Sequence, residues 1–450
     1  MPEQNKQLPA KGKKAGKPKR LSNNKTIFKW LMPKSSYLEN IRIGEIDIPF
    51  LILIVLLLVF GLIMMYSASY AWAIHAGYSQ DHYFKRQLIM SAIGLAAMMF
   101  AASPLFDYHV IKHPAVTFGF FGLCVVLLLI VHIPGLGITD AGASRWIKVG
   151  SLFSFQPSEL MKLGIIILFA HMISSNHKNI KTIKYGVIPY VGILGLVAVL
   201  VILQPHLSGT IIICAIAISM MFVGGMKLSH FIVLCITGAA GLTIVAYLMY
   251  KFGDYSYINN RIQGWLYTFD EANRDVAWQT RNSLIAIGSG GLFGLGLGNS
   301  RQKFLYLPES QNDFVFSIVC EEMGFIGAAL VIVLFLMLIF RGFEIAQNAP
   351  DKYGMLLATG IIMQIGVQAL LNIAVVSNAI PNTGISLPFF SYGGTALVMQ
   401  LAEVGIVLNV SRQSIPRKEK PDAAQSRELE EISKAKKQLG SEAVKSRRKN

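Results

Sequence analysis

The sequence predicts an all-α polytopic membrane protein with ten transmembrane helices, both termini in the cytoplasm and a large extracytoplasmic loop between helices 7 and 8. Composition gives the first reason. The 450 residues are 53% hydrophobic and 15% charged, whereas a soluble domain has about 25% charged residues. Apolar runs of roughly 20 residues, enough to cross a bilayer as a helix, recur along the chain. The positive charges also fall mainly on one side of the alternating spans.

The apolar runs divide the chain into three parts. A basic cytoplasmic tail at 1–46 precedes a transmembrane domain at 47–411, and a charged cytoplasmic tail follows at 412–450. The first tail lacks a short apolar core followed by small residues, so no cleavable signal peptide is expected. The ten predicted spans are 47–69, 87–103, 115–133, 158–175, 184–203, 206–224, 229–250, 314–340, 354–375 and 389–410.

The distribution of positive charge predicts the orientation of these spans. Of the 41 Lys and Arg residues, 11 precede the first span, 12 follow the last, and 30 in all lie on the predicted inner side. The positive-inside rule then places both termini in the cytoplasm, in agreement with an even number of spans. Topology and contact of the tails with anionic lipid account for the net charge of +16. No nucleic-acid partner is expected.

The loop 251–313 between spans 7 and 8 is by far the longest predicted outer segment. Long loops are usually functional or disordered, and Trp265, Tyr267 and Trp278 argue against disorder. Its amphipathic stretches are expected to lie at the outer interface. The glycine-rich "GLFGLGLGNS" does not follow a strand, and only tails and short links remain inside. Neither a nucleotide site nor an organic cofactor is therefore expected.

Asp313 stands immediately before the eighth predicted span. Ionisable residues at membrane depth are functional candidates by default because charge in hydrocarbon is costly. One interpretation is a base at the outer membrane surface, within reach of lipid-bound substrates. The alternative is an N-cap of the following helix, a common and stabilising role for Asp.

Two further carboxylates, Glu321 and Glu322, lie inside the eighth span. Glu321 is expected roughly 12 Å deeper than Asp313, at about 1.5 Å per helical residue. Neither glutamate shares the helix face of Asp313 closely, so we expect both to meet a cation on another helix. Glu159 and Lys162 of the fourth span, spaced by three on one face, offer such a cation. Alternatively these two residues form a self-neutralising structural pair.

Positively charged residues on the predicted outer side are exceptions to the positive-inside distribution, which suggests that they have a function. Arg145, Trp146 and Lys148 are clustered there. This cluster is consistent with a phosphate clamp beside a sugar platform, or with ordinary interfacial anchoring by the tryptophan. A basic rim beside one carboxylate suits an anionic, lipid-linked substrate. The candidate substrate-binding residues are Arg145, Trp146, Lys148, Arg261, Gln279, Lys303, Glu309, Ser391 and Tyr392.

Two stretches bring proline and glycine to membrane depth. They read "QPHLSGT" at 204–210 and "PNTGISLPFFSYGGTA" at 381–396. Irregular backbone at this depth is tolerated only where it lines a cavity or is buried in protein. Both stretches are therefore expected to line a cavity or to be buried in protein.

Several of these stretches together resemble the SEDS family of polytopic cell-wall proteins (shape, elongation, division and sporulation). The matching pieces cover roughly 47–411 and read "MYSAS", "RWIKVGSLFSFQPSELMKL", "QPHLSGT", "GLGLGNSRQKFLYLPESQNDFVFSIVCEEMGFIG" and "GISLPFFSYGGTALV". The stretches "GLGNSRQKFLYLPE" and "GIVLNVSR" resemble the division and sporulation branches more than the elongation branch.

The resemblance implies a ten-span peptidoglycan glycosyltransferase that polymerises lipid II. It also implies a class B penicillin-binding protein as transpeptidase partner, other divisome membrane proteins, and a place in the cytoplasmic membrane at the division septum. The family's essential aspartate falls on Asp313, and the tryptophan of its first large outer loop falls on Trp146. Many relatives have HTDF where this chain has Gln311 and Asn312, and QPDxGT where it has His206. A charge role at position 206 is thus in doubt.

The reaction implied by the resemblance requires only one catalytic carboxylate. The donor sugar leaves a lipid pyrophosphate, so an inverting transfer needs one base and no protonated acid. Asp313 meets that need. Outer Arg and Lys side chains, or a bound divalent cation such as Mg or Mn, would neutralise the pyrophosphate.

Two other classes of function remain open at this point. The first is a lipid II flippase whose path uses the intramembrane charges Glu159, Lys162 and Glu322. The second is a non-catalytic scaffold for a penicillin-binding protein. Replacement of Asp313 by Asn should be tolerated by both but not by a polymerase.

Overall fold

The computed structural model describes residues 44–133, 137–140, 143–149, 153–204, 206–252 and 255–414. The two predicted cytoplasmic tails lie almost entirely outside these residues. Thirteen α-helices account for most of the described chain: Ile48–His75 (α1), His82–Ala102 (α2), Pro114–Ile130 (α3), Pro157–Ser175 (α4), Ile183–Gly186 (α5), Ile188–Ile202 (α6), Leu207–Val223 (α7), Leu228–Phe252 (α8), Tyr255–Leu266 (α9), Arg274–Ser289 (α10), Val315–Gln347 (α11), Lys352–Val376 (α12) and Gly394–Gln413 (α13).

Seven helices within the described residues are long and apolar enough to cross a membrane. They are α1, α2, α4, the α5–α6 pair, α11, α12 and α13. Three shorter apolar helices, Pro114–Ile130, Leu207–Val223 and Leu228–Gly241, coincide with the other three predicted spans. The structure therefore confirms a helical, multi-pass membrane architecture, while the count of ten crossings stays a prediction.

Local sequence accounts for several helix starts. Asp47 accepts a hydrogen bond from the backbone N–H of Phe50 and is followed by a proline in the first turn of α1. Asp351 caps α12 in the same way through the N–H of Gly354. Such caps satisfy backbone donors that have no partner inside the helix. They fix where two membrane helices begin.

Helices α4, α12 and α13 form the centre of the bundle. About two thirds of the apolar window of α4 is buried, against little more than a quarter for the α5–α6 pair. Close approach between helices depends on small residues. A Cβ added at Gly405 of α13 would lie 2.5 Å from the carbonyl oxygen of Met98 in α2. Glycine at 405 thus allows these two helices to pack backbone to backbone.

A small antiparallel sheet is the departure from the predicted all-α class. Strands Gly137–Asp140 (β1), Ala143–Val149 (β2) and Phe153–Phe155 (β3) pair in the order β1-β2-β3. Ile138 faces Trp146, and Ile147 faces Phe155. Alternating and β-branched residues in "SRWIKVGSLFSF" favour strands. Our sequence interpretation used this loop only for its cations and so missed the sheet.

The predicted outer loop 251–313 contains α9 and α10, where the sequence indicated amphipathic segments. Its glycine-rich part packs against α11, which is kinked at Gly324 with φ of +65°. The N–H groups of Leu295 and Gly296 donate to the carbonyl oxygens of Glu321 and Glu322, each at 2.9 Å. The loop thus supplies partners to backbone groups that the kink would leave unpaired.

Candidate functional site

Asp313 does not cap α11. Phe314 occupies the N-cap position and no side chain caps this end of the helix. The Asp313 carboxylate accepts no hydrogen bond and forms no direct ion pair with any described residue. The capping alternative is therefore wrong, and the carboxylate is left available.

The pKa of Asp313 is raised to about 7. Burial of the carboxylate is the main cause, and the nearby Glu309 carboxylate adds to the rise. Arg261 and Arg145 act in the opposite direction. A carboxylate with this pKa changes protonation state near neutral pH, as a general base needs to do.

The loop 377–393 forms one wall beside Asp313. A Cβ added at Gly384 would lie 3.2 Å from Oδ2 of Asp313. Gly384 has φ of +65°, a conformation that favours glycine. The backbone of the irregular stretch 381–396 thus passes directly against the carboxylate.

A buried asparagine on α12 links the Asp313 segment to the loop 377–393. Nδ2 of Asn372 donates to the carbonyl oxygen of Asp313 at 2.7 Å and to that of Ile385 at 2.6 Å. The side chain is fully buried. Asn372 therefore sets the distance between the Asp313 segment and the loop 377–393. Our sequence interpretation missed this residue.

Ser391 and Tyr392 also join the two segments. Ser391 Oγ donates to the carbonyl oxygen of Asn312 at 2.6 Å and accepts from the N–H of Leu387 at 2.7 Å. The N–H of Tyr392 donates to the carbonyl oxygen of Gln311 at 2.8 Å. Ser391 is buried, so its hydroxyl positions the site in this structure rather than facing a substrate.

Arginines from two distant parts of the chain converge on Asp313. Arg145 lies on β2 at a register shift between Ile138 and Thr139, where it is the extra residue of a β-bulge. Bulges re-aim side chains and are frequent beside active sites. Its Nε donates to the carbonyl oxygen of Gln204 at 3.3 Å. Arg261 of α9 contacts the carbonyl oxygen of Asn382.

Gln279 and Glu309 complete the rim. Gln279 of α10 accepts from Nδ2 of Asn382 at 2.8 Å and donates to the carbonyl oxygen of Pro308 at 3.3 Å. Glu309 is exposed, has φ of +56° and accepts from Nδ2 of Asn312. The structure thus brings Arg145, Arg261, Gln279 and Glu309 around Asp313.

Two members of the predicted outer cluster do not show such contacts. Trp146 is partly buried on β2 opposite Ile138. Lys148 pairs with Ser154 in the register of the sheet, but its side chain lies outside the described part of the structure. A sugar platform at Trp146 and a phosphate clamp at Lys148 stay predictions.

The partner predicted for Glu321 and Glu322 was wrong. Glu322 Oε1 lies 2.9 Å from Nζ of Lys303, and its carboxylate also accepts from Ser67 Oγ at 2.7 Å. Glu321 accepts from the N–H of Arg301 at 2.9 Å and from Ser300 Oγ. The cation comes from the loop 290–303, which folds back against the kink of α11, and not from Lys162.

Lys303 therefore differs from its predicted role on a substrate-binding rim. It is 1% exposed. Nζ also donates to the carbonyl oxygen of Gly298 at 2.6 Å and to Ser67 Oγ at 3.0 Å. An ammonium with three acceptors has no donor left for a ligand. Lys303 instead stabilises the packing of this loop on α1 and α11.

Glu159 and Lys162 form the self-neutralising pair that the sequence left as an alternative. Their charged atoms are 2.7 Å apart at i, i+3. Nζ of Lys162 also donates to Oε1 of Gln368 at 3.1 Å. Lys162 is buried, whereas Glu159, in the first turn of α4, is partly buried.

Polar residues on α12 and α13 were missed. Gln364, Gln368 and Asn372 are spaced by four and lie on one face of α12. Gln368 donates to the carbonyl oxygen of Ser386 at 3.1 Å, and Gln364 contacts the buried Glu403 of α13. A charged residue within a predicted span was the signal that could have found Glu403.

Comparison with known proteins agrees with this architecture. A family model described as "Cell cycle protein" (FTSW_RODA_SPOVE) matches residues 49–415. The chain is 42% identical over 369 residues to "Stage V sporulation protein E" of Bacillus subtilis (strain 168), covering 82% of this chain and 97% of that protein. It is 38% identical over 370 residues to "Probable peptidoglycan glycosyltransferase FtsW" of Geobacter sp. (strain M18), covering 82% of this chain and 98% of that protein.

A solved structure shares the fold. Its description reads "Structural coordination of polymerization and crosslinking by a peptidoglycan synthase complex". The similarity has a TM-score of 0.67 at 24% identity and covers 82% of this chain and 98% of the other. At this identity the likeness concerns the fold alone.

Proposed function

The chain belongs to the FtsW/RodA/SpoVE family of cell cycle proteins, and from this membership we propose that it is a peptidoglycan glycosyltransferase that polymerises lipid II into glycan strands. One observation carries the residue-level proposal. Asp313 has no direct partner among the described residues, two arginines act on it, and its pKa is about 7. This combination suits a base that meets an anionic substrate.

Asp313 acts as the general base in the proposed reaction. Its carboxylate takes the proton from the acceptor 4-hydroxyl while that oxygen attacks the anomeric carbon of the donor sugar. The bond from this carbon to the pyrophosphate breaks, and undecaprenyl pyrophosphate leaves with the bonding electrons. Because pyrophosphate is a good leaving group, the second carboxyl group of a glycosidase is not required.

Arg145 and Arg261 bind the pyrophosphate in this proposal. Both are close enough to act electrostatically on Asp313, and cations at this distance stabilise negative charge that develops beside the base during transfer. By neutralising the pyrophosphate, the two arginines also reduce the electrostatic repulsion between the donor and the Asp313 carboxylate. Trp146 and Lys148 are proposed as further substrate contacts on β2.

A divalent cation, Mg or Mn, fits the acidic residues present. The described residues contain no group of three or more His, Cys, Asp or Glu side chains that could hold a metal alone. Mg²⁺ is commonly bound by one or two carboxylates together with substrate phosphates. Glu309, near Asp313, is the carboxylate that would hold it together with the pyrophosphate, which leaves Asp313 free as the base, and the ion would neutralise the leaving pyrophosphate.

The membrane setting completes the proposal. In this proposal the chain crosses the membrane ten times with both termini in the cytoplasm, so that Asp313 lies at the outer face, where a lipid-anchored substrate enters from the side. A class B penicillin-binding protein is the proposed partner, supported by the shared fold with a chain from a complex of polymerization and crosslinking. The division septum, with other divisome proteins, is the proposed location.

The geometry disfavours a flippase path through the intramembrane charges. Glu159 and Lys162 are paired with each other at 2.7 Å, and Glu322 is paired with Lys303 at 2.9 Å. A transport path would need charges that exchange partners with a substrate. Asp313, beside the predicted outer surface, has no direct partner among the described residues.

The test is polymerisation of labelled lipid II by the purified protein, alone and with its penicillin-binding protein, in the presence of Mg²⁺. Wild type should give glycan strands on gels, and Asp313→Asn should give none although its melting temperature is no lower than that of wild type. The matched control is Asp275→Asn, an exposed aspartate of α10, which should keep wild-type activity. Equal polymer from wild type and Asp313→Asn would remove Asp313 from the chemistry.

A further inference from the structure

A second carboxyl group lies deep in the bundle, outside the site at Asp313. Glu403, in the middle of α13, is fully buried. Nε2 of Gln364 donates to its Oε2 at 2.7 Å. The remaining oxygens of both side chains, Oε1 of Glu403 and Oε1 of Gln364, have no hydrogen-bond partner among the described residues. Buried polar atoms of native proteins are nearly always paired.

The charges around Glu403 do not neutralise it. Helices α2, α4, α11 and α12 pack against α13. Among their described residues, only Glu159 and Lys162 of α4 act electrostatically on Glu403. The ammonium of Lys162 is already held by Glu159 at 2.7 Å and by Gln368 at 3.1 Å. One cation therefore serves two carboxyl groups, and an ionised Glu403 would leave one negative charge uncompensated in the core.

We propose that Glu403 and Gln364 form a proton-binding site in the membrane interior. Glu403 is then a neutral acid. Its Oε1–H donates to Oε1 of Gln364, while the amide of Gln364 donates to Oε2 of Glu403. This acid–carboxamide pair uses both orphan oxygens, which belong to two side chains that already touch. A metal ion fits less well, because the pair offers few oxygen ligands and oxygen-seeking cations require about six or more.

Protonation of Glu403 affects the loop 377–393, which borders the Asp313 site. Without it, Glu403 would compete with Glu159 and Gln368 for the ammonium of Lys162. Gln368 in turn donates to both the carbonyl oxygen and Oγ of Ser386, each at 3.1 Å. Ser386 belongs to the loop 377–393 that borders Asp313. Protonation of Glu403 thus keeps Lys162 bound to Gln368 and leaves this loop supported.

Infrared spectroscopy tests the proposal without an activity assay, so its outcome does not depend on the proposed function. The protein is purified with ¹³C at the side-chain carboxyl of glutamate, which separates its neutral-acid C=O band from that of any aspartic acid. At pH 7 we expect wild type to show one buried glutamic-acid band. Glu403→Gln should lose this band, and Glu159→Gln should keep it.

A second variant covers the case in which Glu403→Gln does not fold. Gln364→Met leaves the acid but removes its partner, so the band should persist and shift to higher frequency. Absence of a glutamic-acid band in wild type, or its loss in Glu159→Gln instead, would overturn the proposal. So would a melting temperature that rises with NaCl but not with choline chloride, because Glu403 would then hold a sodium ion.

Discussion

The acids at the start of α11 fall into two groups that the structure treats in opposite ways. Glu321 and Glu322 are buried and saturated, with hydrogen bonds from Ser67, Lys303 and the backbone of the loop 290–303. Asp313, at the beginning of the same segment, accepts no hydrogen bond from the described residues and has a pKa of about 7. Carboxylates whose oxygens are all hydrogen-bonded stabilise the fold. An acid whose oxygens are unused is available for proton transfer.

The largest expected effect concerns the saturated group. Lys303→Met leaves the buried Glu322 without its cation, and breaking one partner of a buried pair costs about 3–5 kcal/mol. Denaturant or thermal unfolding in detergent micelles should show this loss of stability. The double variant Lys303→Met, Glu322→Gln should recover most of it, because no uncompensated charge remains.

Asp313→Asn is the matched comparison for that experiment. Removing a carboxylate whose native pKa lies above its usual value should not lower stability. Above pH 7 it should raise the melting temperature, because the ionised native form is the one that burial penalises. A loss of stability equal to that of Lys303→Met would contradict the division into two groups.

The next effect concerns Asn372, which holds Asp313 against the loop 377–393. Asn372→Leu leaves two carbonyl oxygens unsatisfied at a cost of about 1–3 kcal/mol each. We expect kcat for polymerisation to fall at least tenfold with KM little changed, because the base is displaced rather than the substrate contacts removed. Initial rates per folded molecule measure this.

The control for Asn372 is a similar asparagine far from the site. Asn409 of α13 also donates to two backbone carbonyl oxygens, at 2.8 Å to Ala101 and 2.7 Å to Phe106. Asn409→Leu should lose comparable stability but keep its activity per folded molecule. If both variants lose activity equally, Asn372 has no positioning role of its own.

Smaller and opposite shifts are expected from the two neighbours of Asp313. Glu309 raises the pKa of Asp313 and Arg261 lowers it. Glu309→Gln should therefore move the acid limb of the pH–rate profile to lower pH, and Arg261→Gln should move it to higher pH. A shift of the two limbs in the same direction would show that these residues act on something other than Asp313.

The helices could be predicted from sequence because a membrane span needs only a sufficiently long apolar run. Each predicted run overlaps an observed helix, from Ile48–His75 to Gly394–Gln413. The sheet at β1–β3 was missed because its residues were considered only for their charge. The partner of Glu322 was missed because it depends on how the loop 290–303 folds back on α11, which no local pattern indicates.

The site was predictable in part. Asp313, Arg145 and Arg261 could be named from residue type and predicted side of the membrane, and the structure brings them together. Asn372 and Glu403 could not be assigned in this way. An amide inside an apolar helix becomes informative only when its partners are known, and one partner of Asn372, Asp313, is 59 residues away.

The pH dependence of polymerisation tests the central claim most directly. Initial rates of lipid II polymerisation by wild type should be constant above pH 8 and fall as pH decreases, with half the activity lost near pH 7, because Asp313 must be deprotonated to accept the acceptor proton. Asp313→Asn should be inactive throughout. An acid limb two units lower, or measurable activity of Asp313→Asn with the same limb as wild type, would contradict Asp313 as the base.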